Sequence, residues 1–522
     1  MPINLNIGIL GHVDSGKTTL AKALSEIAST GAFDKNPQSQ ERGITLDLGF
    51  SALQIDLPAN LEAPTNADKK LQYTFVDCPG HASLIRTIIS GAQIIDFMIL
   101  VVDVVKGVQT QTAECIVIGQ LTCKKMLVVL NKIDQLEGQK EQKIEKMAKK
   151  MRKTLEGLGI PDPPVVAVSA ATGENLPELL EAIKSFSFLP ERDTAKPFLF
   201  AVDHCFSIRG QGTICTGTVL QGSIRVGDDV EVAQLKLTRR VKSIQMFRNP
   251  IQEAKQGDRI GISITQFDAK ALERGFICHP GSVLQCRCGV IKLSRIPFYR
   301  SEIASNTKFH ITSGHETILA NIILFSGKSP EFSFNEEYRF VENIHQESSN
   351  NLPENTEDAP ENTFVLLQFE RPISVIPGSL VIASKLDLDV ATTTCRLAFH
   401  GNLLEVTEDR DYPTNFLPRL KIFKEKSKRG TIQRVVNEYE LIAGNLLKPG
   451  SREIFIGMHI GLSTGEKGTI SSTFGQTSKV KLTFRDALLP TTLESIKSKS
   501  SPISVELKFK KFIFDREKKI FQ

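Results

Sequence analysis

A short run near the amino terminus has the residue types and spacing needed to bind phosphate. Residues 11–18 (GHVDSGKT) contain a glycine, four further residues and then Gly-Lys-Thr, the pattern of a phosphate-binding loop. We expect the loop N–H groups to point at phosphate oxygens, Lys17 to bind the β- and γ-phosphates, and the Thr18 hydroxyl to bind Mg²⁺. The residues of this run predicted to contact nucleotide are Asp14, Ser15, Gly16, Lys17, Thr18 and the following Thr19.

Further polar residues have the chemistry to complete such a site. Asp77 follows an apolar run and can reach Mg²⁺ through a water, while Gly80 leaves its N–H free to meet a γ-phosphate. His81 would then stand where a water attacks that phosphate, so we predict that it orients the water. Thr45 lies in the long polar segment after the first helix, and it can bind Mg²⁺ only while a γ-phosphate holds that segment in place. This dependence predicts a switch.

A third group of residues has the chemistry to select guanine. Asn131, Lys132 and Asp134 follow another apolar run. The Asp134 carboxylate can accept hydrogen bonds from the ring N–H and the exocyclic amine of guanine, a donor pair that adenine lacks, and the wrong base would leave buried groups unpaired. The stem of Lys132 can lie along the base. Ser169 and Ala170 can offer a backbone N–H to the guanine oxygen.

Alternating elements are needed to position these groups. The apolar runs 71–76, 97–102, 126–130 and 165–168 predict strands, and helix-like stretches such as 141–158 lie between them. This alternation predicts an α/β domain with a parallel sheet covered by helices on both faces. Ligands collect at the carboxyl ends of such strands. Most of the residues above follow predicted strands, so we expect them to converge at one edge.

The pattern changes in the middle of the chain. From about residue 196, helical periodicity gives way to short β-branched runs with frequent glycines, which predicts a small antiparallel barrel; a second such region spans about 290–400. Between 328 and 362 the chain is polar and acidic, which predicts a disordered insertion in a barrel loop. A regulatory role and a neutral one both remain open for it, and surface loops tolerate added length.

The last part of the chain predicts a third barrel with a basic face. The segment 505–510 alternates apolar with charged residues, as a half-buried strand does. A positive face of this kind binds RNA phosphates or is merely solvated. The cationic residues that lead into this domain are Arg419, Lys421, Lys424, Lys426, Lys428, Arg429 and Arg434. The predicted domains are 1–192, 193–288, 289–405 and 406–522.

Composition limits the remaining choices. The net charge of the 522 residues is only +5, so any nucleic-acid surface must be local. The nine cysteines show no secretory framework, which predicts reduced thiols in the cytoplasm. Cys286 and Cys288 lack partners at metal-ligand spacing. The best apolar run, 94–105, is interrupted by two aspartates and is too short to span a bilayer.

Taken in order, the motifs GHVDSGKT, ERGIT, DCPGH, NKID and SA resemble the full set of the translational GTPases of the elongation factor Tu family. The resemblance implies GTP in preference to ATP, and a His81 that is screened by Val13 and Ile44 until the ribosome acts. The residues it implies for phosphate and Mg²⁺ are Lys17, Thr18, Thr45 and Asp77. Those it implies for the base are Asn131, Lys132, Asp134 and Ser169. It also implies that both barrels are the family's second and third domains.

A narrower resemblance concerns the first barrel. VDHCFSI, GQGTICTGT, GDRIGI and LERG there, with CRLAFHG and FLPRLK further on, resemble the eukaryotic selenocysteine-specific elongation factors. That resemblance implies an aminoacyl pocket at Asp203, His204 and Arg274. A selenol is largely anionic near neutral pH, so His and Arg can pair with it, whereas they offer nothing equivalent to a neutral serine hydroxyl. Such a pocket would favour selenocysteinyl-tRNA over seryl-tRNA.

The two resemblances imply a GTPase that delivers selenocysteinyl-tRNA to the ribosome at UGA codons and hydrolyses GTP to GDP and phosphate there. They imply a SECIS-binding protein and the SECIS RNA element as further partners, no membrane, and a monomer. Rival interpretations on the same scaffold are a general elongation factor, an initiator-tRNA subunit, a sulfate-activation GTPase subunit and a regulatory switch without tRNA. The fourth domain and the pair His204 and Arg274 argue against the first two.

Overall fold

A computed structural model describes most of the chain in two compact units. The described residues are 3–26, 49–62, 70–79, 89, 94–123, 125–208, 212–246, 249–272, 274–314, 316–345, 362–388, 395–448, 453–473, 478–498, 502–515 and 520–522. The first unit takes its residues from 1–322, 344–351 and 367–408, and the second from 323–343, 352–366 and 409–522. No helix within these described ranges is long and apolar enough to cross a membrane.

The first domain is the predicted α/β sheet. Its strands are β1 (Ile3–Gly11), β2 (Gly49–Asp56), β3 (Lys70–Asp77), β4 (Phe97–Asp103), β5 (Met126–Asn131) and β6 (Val165–Ala167). Its helices are α1 (Lys17–Glu26), α2 (Thr110–Thr122), α3 (Lys140–Glu156) and α4 (Leu176–Phe186). The strand order is β2-β3-β1-β4-β5-β6, and only the β2–β3 pair is antiparallel.

Alternate residues of β4 pack into two separate cores, one on each face of the sheet. Met98 and Leu100 join residues of α2 and α3, whereas Phe97 and Ile99 join residues of α1 and α4. All seven β4 residues are buried, as expected for a central parallel strand covered on both faces. Burying a side chain of this size contributes about 1.5–3 kcal/mol, so the two cores hold the strand ends that carry the site.

The first barrel follows as predicted. Its strands are β7 (Leu199–Ile208), β8 (Gly212–Gln221), β9 (Ser223–Arg225), β10 (Asp229–Val232), β11 (Leu237–Met246), β12 (Asn249–Ile251), β13 (Glu253–Lys255), β14 (Arg259–Ile264) and β15 (Gly275–Cys278). Six of them close in the order β10-β15-β7-β8-β14-β11, with β11 returning to β10. The register between β7 and β8 shifts between Val202 and His204, which marks a β-bulge.

The second barrel also closes with six strands. The strands of this region are β16 (Leu284–Lys292), β17 (Ser294–Arg295), β18 (Ile303–Ala304), β19 (Thr307–Ser313), β20 (Glu316–Gly327), β21 (Tyr338–Val341), β22 (Asn343–Ile344), β23 (Asn362–Val375), β24 (Leu380–Ser384) and β25 (Leu397–Thr407). The closed order is β19-β24-β25-β16-β23-β20, and β20 pairs back with β19.

The prediction of a disordered insertion over 328–362 is wrong for the part up to β21 and β22. Phe332 stacks on Tyr338 with ring centroids 5.4 Å apart, and it also packs against Phe325 and Phe364. Tyr338 is fully buried. The aromatic residues of this segment supply the apolar area that its polar average composition obscured. The remainder of the segment, including its acidic stretch, lies outside the described residues.

The last domain is a third closed barrel. Its elements are α5 (Tyr412–Asn415), β26 (Ile422–Asn437), β27 (Glu440–Gly444), β28 (His459–Leu462), β29 (Lys467–Thr473), β30 (Lys479–Phe484), α6 (Pro490–Ser498), β31 (Ser504–Phe512) and β32 (Ile520–Phe521). The closed order is β26-β27-β30-β29-β28-β31. Val505, Leu507 and Phe509 are buried while Lys508 is exposed, which confirms the half-buried strand. The fold class is confirmed; the domain boundaries stay predictions.

Candidate functional site

The strand register gathers the predicted nucleotide residues at one edge of the first sheet. Ile9 of β1 lies beside Asp77, the last residue of β3. Asp103, the last residue of β4, lies beside Asn131, the last residue of β5. Because β1 continues directly into the loop that begins at Gly11, the loop, the Asp77 carboxylate and the Asn131 amide share this edge.

Two glycines allow the phosphate loop to lie close against its neighbours. Gly11 has a φ of +155°, and a Cβ there would lie 2.2 Å from the carbonyl oxygen of Val101. Gly16 has a φ of +88°, and its Cβ would lie 2.2 Å from Nδ2 of Asn131. A side chain at either position would clash, and a positive φ is rare for residues other than glycine. The two glycines therefore allow the loop backbone to approach Val101 and Asn131 closely.

Lys17 is folded back into the loop. Its Nζ donates a hydrogen bond of 2.7 Å to the carbonyl oxygen of His12, and the residue is only 6% exposed. Burial lowers the pKa of the Lys17 ammonium below its usual value, and the neighbouring Asp77 carboxylate opposes that effect. A buried ammonium is costly unless it is paired. A phosphate bound in the loop would therefore stabilise the charged form of Lys17.

The residues predicted to hold Mg²⁺ fit that ion by their donor chemistry. The Thr18 hydroxyl donates a hydrogen bond of 2.7 Å to Oδ2 of Asp77, and Asp77 is only 3% exposed. A hydroxyl and a buried carboxylate are the hard oxygen ligands that Mg²⁺ prefers. Within the described part of the chain, the buried Ser15 Oγ has no hydrogen-bond partner, so the loop retains polar capacity for a ligand.

Four predicted residues of the switch and catalytic group lie outside the described residues. They are Ile44, Thr45, Gly80 and His81. Their roles stay predictions.

Asn131 joins two loops across the site. Its Nδ2 donates a hydrogen bond of 2.8 Å to the carbonyl oxygen of Ser15, and its Oδ1 accepts one of 3.0 Å from the N–H of Ala170. Asn131 is 2% exposed and Ser169 is fully buried. The N–H of Ala170, which the sequence suggested for the guanine oxygen, therefore already serves Asn131 in this structure. Asn131 therefore ties the segment after β6 to the phosphate loop.

Lys132 and Asp134 stand beside each other in a tight turn. Lys132 has a φ of +68°, and its ammonium forms a 2.9 Å ion pair with Asp103. Burial would raise the pKa of the Asp103 carboxyl, but hydrogen bonds from Lys132 and from the N–H groups of Lys106 and Val105 outweigh it and lower that pKa. Asp134 is exposed at the edge, where its carboxylate is available to a base.

Sequence reasoning missed a contact from α2 to the phosphate loop. Gln111 accepts a 3.3 Å hydrogen bond through Oε1 from the N–H of Val13. One turn along the same helix, Glu114 forms a buried bidentate ion pair with Arg396, with N–O distances of 2.8 and 2.9 Å. No local sequence signal identifies either residue, because their partners are far away in the chain.

Asp203 lies at the bulge in β7 and is buried. Val202 and Asp203 are consecutive yet both buried, whereas His204 is exposed. The Asp203 carboxylate accepts a hydrogen bond of 2.5 Å from Arg259. The Arg259 guanidinium lies over the ring of Phe50, 3.1 Å from its centroid, and Phe50 belongs to β2 of the first domain. Asp203 is thus held by Arg259, a residue that sequence reasoning did not single out although it lies in GDRIGI.

Register places the predicted aminoacyl residues at one end of the barrel. Gly275, the first residue of β15, lies opposite Val202, so Arg274 immediately precedes a strand whose end lies level with Asp203. Arg274 is half-buried and His204 is exposed. His204 and Arg274 therefore lie near the same end of the barrel as the buried Asp203. Glu273 lies outside the described residues.

Four protein families match successive parts of the chain. Residues 3–187 match the elongation factor Tu GTP binding domain, and residues 212–279 match elongation factor Tu domain 2. Residues 290–401 match the third domain of the eukaryotic selenocysteine-specific elongation factor. Residues 418–518 match the eEFSec C-terminal RIFT domain. The matches follow the order of the first sheet and the three barrels.

Full-length relatives agree with these matches. The selenocysteine-specific elongation factor of Mus musculus is 45% identical over an alignment of 579 positions, which covers 100% of this chain and 99% of that protein. That of Methanocaldococcus jannaschii is 32% identical and covers 78% of this chain and 80% of its own. The crystal structure of translation elongation factor SelB from Methanococcus maripaludis, in complex with the GTP analogue GppNHp, has a TM-score of 0.71 at 27% identity, covering 97% of this chain and 98% of its own.

Proposed function

This chain belongs to the family of eukaryotic selenocysteine-specific elongation factors, and from this premise we propose that it binds selenocysteinyl-tRNA and delivers it to the ribosome at UGA codons. It is a translational GTPase. The observation that carries the proposal is the convergence of the phosphate loop, Asp77 and Asn131 at one sheet edge. The register that brings His204 and Arg274 near the same end of the first barrel supports it.

GTP recognition begins with groups that are already placed. We assign the phosphates to the loop N–H groups and to Lys17, whose buried ammonium is stabilised by added negative charge. The exposed Asp134 carboxylate accepts from the guanine edge, and Asn131 keeps its segment tied to the loop. A base without guanine's two donors would leave the carboxylate unpaired, which is the source of selectivity.

Thr18 and Asp77 are proposed to hold Mg²⁺, joined in the GTP state by Thr45. The ion, when bound, would neutralise charge on the phosphate oxygens. The Thr18 hydroxyl donates a hydrogen bond to the Asp77 carboxylate, so the two proposed ligands lie within reach of one ion. Loss of the γ-phosphate would release Thr45 and relax its segment.

His81 is proposed to orient the attacking water. In the sequence it follows Asp77, the last residue of β3, by four positions. Hydrolysis waits for the ribosome because the apolar side chains of Val13 and Ile44 would keep His81 away from the water until the complex forms.

The aminoacyl pocket is proposed at His204 and Arg274. Both can pair with a selenolate. The Asp203 carboxylate does not compete for them, because it is paired with Arg259. A carboxylate left unmatched beside the pocket would repel a selenolate, so the Arg259 pair favours the anionic cargo. The neutral hydroxyl of a serine gains no equivalent pairing.

The third barrel is proposed as an RNA-binding domain. Lys424 on β26 lies opposite Lys511 on β31, and Lys426 and Lys508 are exposed on the same two strands. The ion pair between Arg429 and Glu506 removes part of this positive charge. The remaining lysines suit phosphate contacts with tRNA, with the SECIS RNA element or with RNA held by a SECIS-binding protein. We also propose that the protein works in the cytoplasm as a monomer. The nine free cysteines agree with the reducing conditions of that compartment.

The test is GTP-dependent protection of selenocysteinyl-tRNA against deacylation, measured beside seryl-tRNA on the same tRNA body. We expect strong protection of the selenocysteinyl form and its loss in His204→Ala and Arg274→Ala. Arg240→Ala, an exposed arginine of the same barrel, is the matched control. Equal protection of both tRNAs would refute selenolate pairing, and protection of neither would refute tRNA delivery.

A further inference from the structure

Two cysteines face each other across β7 and β8. Cys205 and Cys215 are register partners on adjacent antiparallel strands, and their Sγ atoms lie 3.0 Å apart as free thiols. Directly opposite residues on antiparallel strands have Cα atoms about 4.5 or 5.5 Å apart, and both values suit a disulfide. The backbone is therefore already placed for bond formation.

The surroundings of the pair give the two thiols different roles. Cys205 is half-buried and Cys215 is fully buried. A thiolate at Cys205 would accept the S–H of Cys215, and this hydrogen bond lowers the pKa of Cys205 against the effect of burial. The same contact, together with burial, raises the pKa of Cys215. Cys205 is thus the thiol that a small oxidant reaches and the better nucleophile of the two.

We propose that Cys205 and Cys215 form a reversible disulfide under peroxide, which makes the first barrel a site of thiol oxidation. The Cys205 thiolate attacks one oxygen of hydrogen peroxide. An S–O bond forms as the O–O bond breaks, and the departing hydroxide takes up the proton that Cys205 released on ionising and leaves as water. The Cys215 sulfur then attacks the Cys205 sulfur, an S–S bond forms as the S–O bond breaks, and the thiol proton leaves with the hydroxide as a second water. Two thiols are oxidised and one peroxide is reduced.

The position of the pair connects oxidation to the rim of the barrel. His204 lies opposite Thr216, so the next pair along the two strands contains the proposed selenolate-binding histidine. A covalent bond between β7 and β8 draws the strands together at this point and shifts His204. This consequence, unlike the disulfide itself, rests on the proposed function.

Peptide mapping of the full chain tests the disulfide. The reduced protein is treated with hydrogen peroxide, free thiols are alkylated, and the chain is cut with trypsin, which cleaves at Arg209 between the two cysteines. We expect disulfide-linked peptides that contain Cys205 and Cys215. Dithiothreitol should separate these peptides, and the Cys205→Ser variant should not form them. Alkylation of both cysteines after peroxide, or a sulfinic acid at Cys205 without linked peptides, would overturn the proposal.

Cys286 and Cys288 serve as the internal control. Both are fully buried on one strand, and burial raises the pKa of Cys286 to about 12. They are expected to remain alkylatable after unfolding, because a neutral buried thiol is a poor nucleophile. Oxidation of this pair to the same extent would indicate indiscriminate damage and would refute a selective site.

A second measurement tests the link to the rim. Oxidised protein is expected to protect selenocysteinyl-tRNA severalfold less well than reduced protein, with recovery in dithiothreitol and no change for Cys215→Ser in peroxide. Unchanged protection by the fully disulfide-bonded chain would overturn the link. If the reduced chain protects no tRNA, the proposed function fails, while the peptide map still decides the disulfide.

Discussion

Single side chains connect separate loops at the edge of the first sheet where the predicted nucleotide-binding residues lie, here called the nucleotide edge. Asn131 carries both a donor and an acceptor, and each meets a different backbone group, one in the phosphate loop and one after β6. Asp134, three residues later, is exposed and makes no comparable bridge among the contacts described. We therefore expect the two residues of one motif to have separable roles, with Asn131 connecting the loops and Asp134 recognising the base.

Asn131→Ala is expected to weaken both folding and nucleotide binding. The substitution leaves the Ser15 carbonyl and the Ala170 N–H without their partner, and an unpaired buried group costs about 1–3 kcal/mol. Thermal unfolding and titration with fluorescent GDP would measure the two losses. Asp134→Ala is the matched control: it should lose guanine selectivity and keep the unfolding free energy. A variant N131A with unchanged stability would contradict the bridging role.

The Asp103–Lys132 pair predicts a loss of stability in acid. The folded pKa of Asp103 lies below its ordinary value, so its contribution is fully present above the unfolded pKa of about 3.9 and is lost as pH falls through the folded pKa. Denaturant unfolding at pH 7 and through the acid range should show a shallower acid loss for Asp103→Asn than for the natural chain. Parallel curves for the two proteins would rule out this contribution.

Among the elements, β7 shows how one extra residue changes what a strand presents. Without the bulge, residues on the strand would alternate between the core and the outside. Val202 and Cys205 both pack at the barrel core, so the register shift leaves two consecutive residues, Asp203 and His204, on the outer face. Asp203 pairs there with Arg259 on β14, which also covers Phe50, whereas His204 is exposed. One irregularity thus exposes the histidine of the proposed pocket and sets Asp203 beside Arg259.

Arg259→Met is expected to destabilise the chain by about 3–5 kcal/mol, because it leaves the buried Asp203 charge unpaired. Arg240→Met provides the control in the same barrel. Its pair with Asp229 is exposed, so the expected cost is about 0–1 kcal/mol. Chemical denaturation of both variants would measure the two losses in unfolding free energy. Similar costs for the two would show that the Asp203 pair has no special weight, and Arg259→Met combined with Asp203→Leu should recover part of the loss.

At the scale of the whole molecule, the first unit is held together by polar contacts between its domains. Asn4 and Asn6, at the start of β1, both donate to the carbonyl oxygen of Gly257 in the first barrel, at 2.6 and 3.0 Å. Arg192, in the linker, binds Asp96 through two hydrogen bonds of 2.7 and 2.8 Å. On another side, Arg396 of the second barrel region binds α2. Because α2 also contacts the phosphate loop, this barrel is connected to the nucleotide edge.

Arg396→Met should loosen the second barrel from the first domain. Glu114 would remain buried and charged, at an expected cost of about 3–5 kcal/mol. Differential scanning calorimetry is expected to show the first domain and the second barrel unfolding at more widely separated temperatures in the variant than in the natural chain. Lys149→Met, which removes an exposed pair with Glu145 on α3, should leave the profile unchanged. An unaltered profile for R396M would indicate that the two domains are held by other contacts.

The residues by themselves determined the nucleotide chemistry, the order of domains and the basic strand of the last barrel. Each rests on short-range information: the phosphate loop is eight consecutive residues, and the strand 505–510 shows its burial by simple alternation. Such patterns can be interpreted without knowing which distant residues they contact, because local backbone geometry and solvent exposure produce them. The aromatic residues before β21 carried a local signal too, which average polarity concealed.

Tertiary structure alone decided which distant groups meet. Arg396 and Glu114 are separated by 282 residues and Arg259 and Asp203 by 56, so no local pattern could pair them. The bulge at Asp203, the tie between Asn131 and the phosphate loop, and the close approach of Cys205 to Cys215 all depend on strand register. Register is set by the packing of whole sheets and barrels, and packing exists only once the chain has folded.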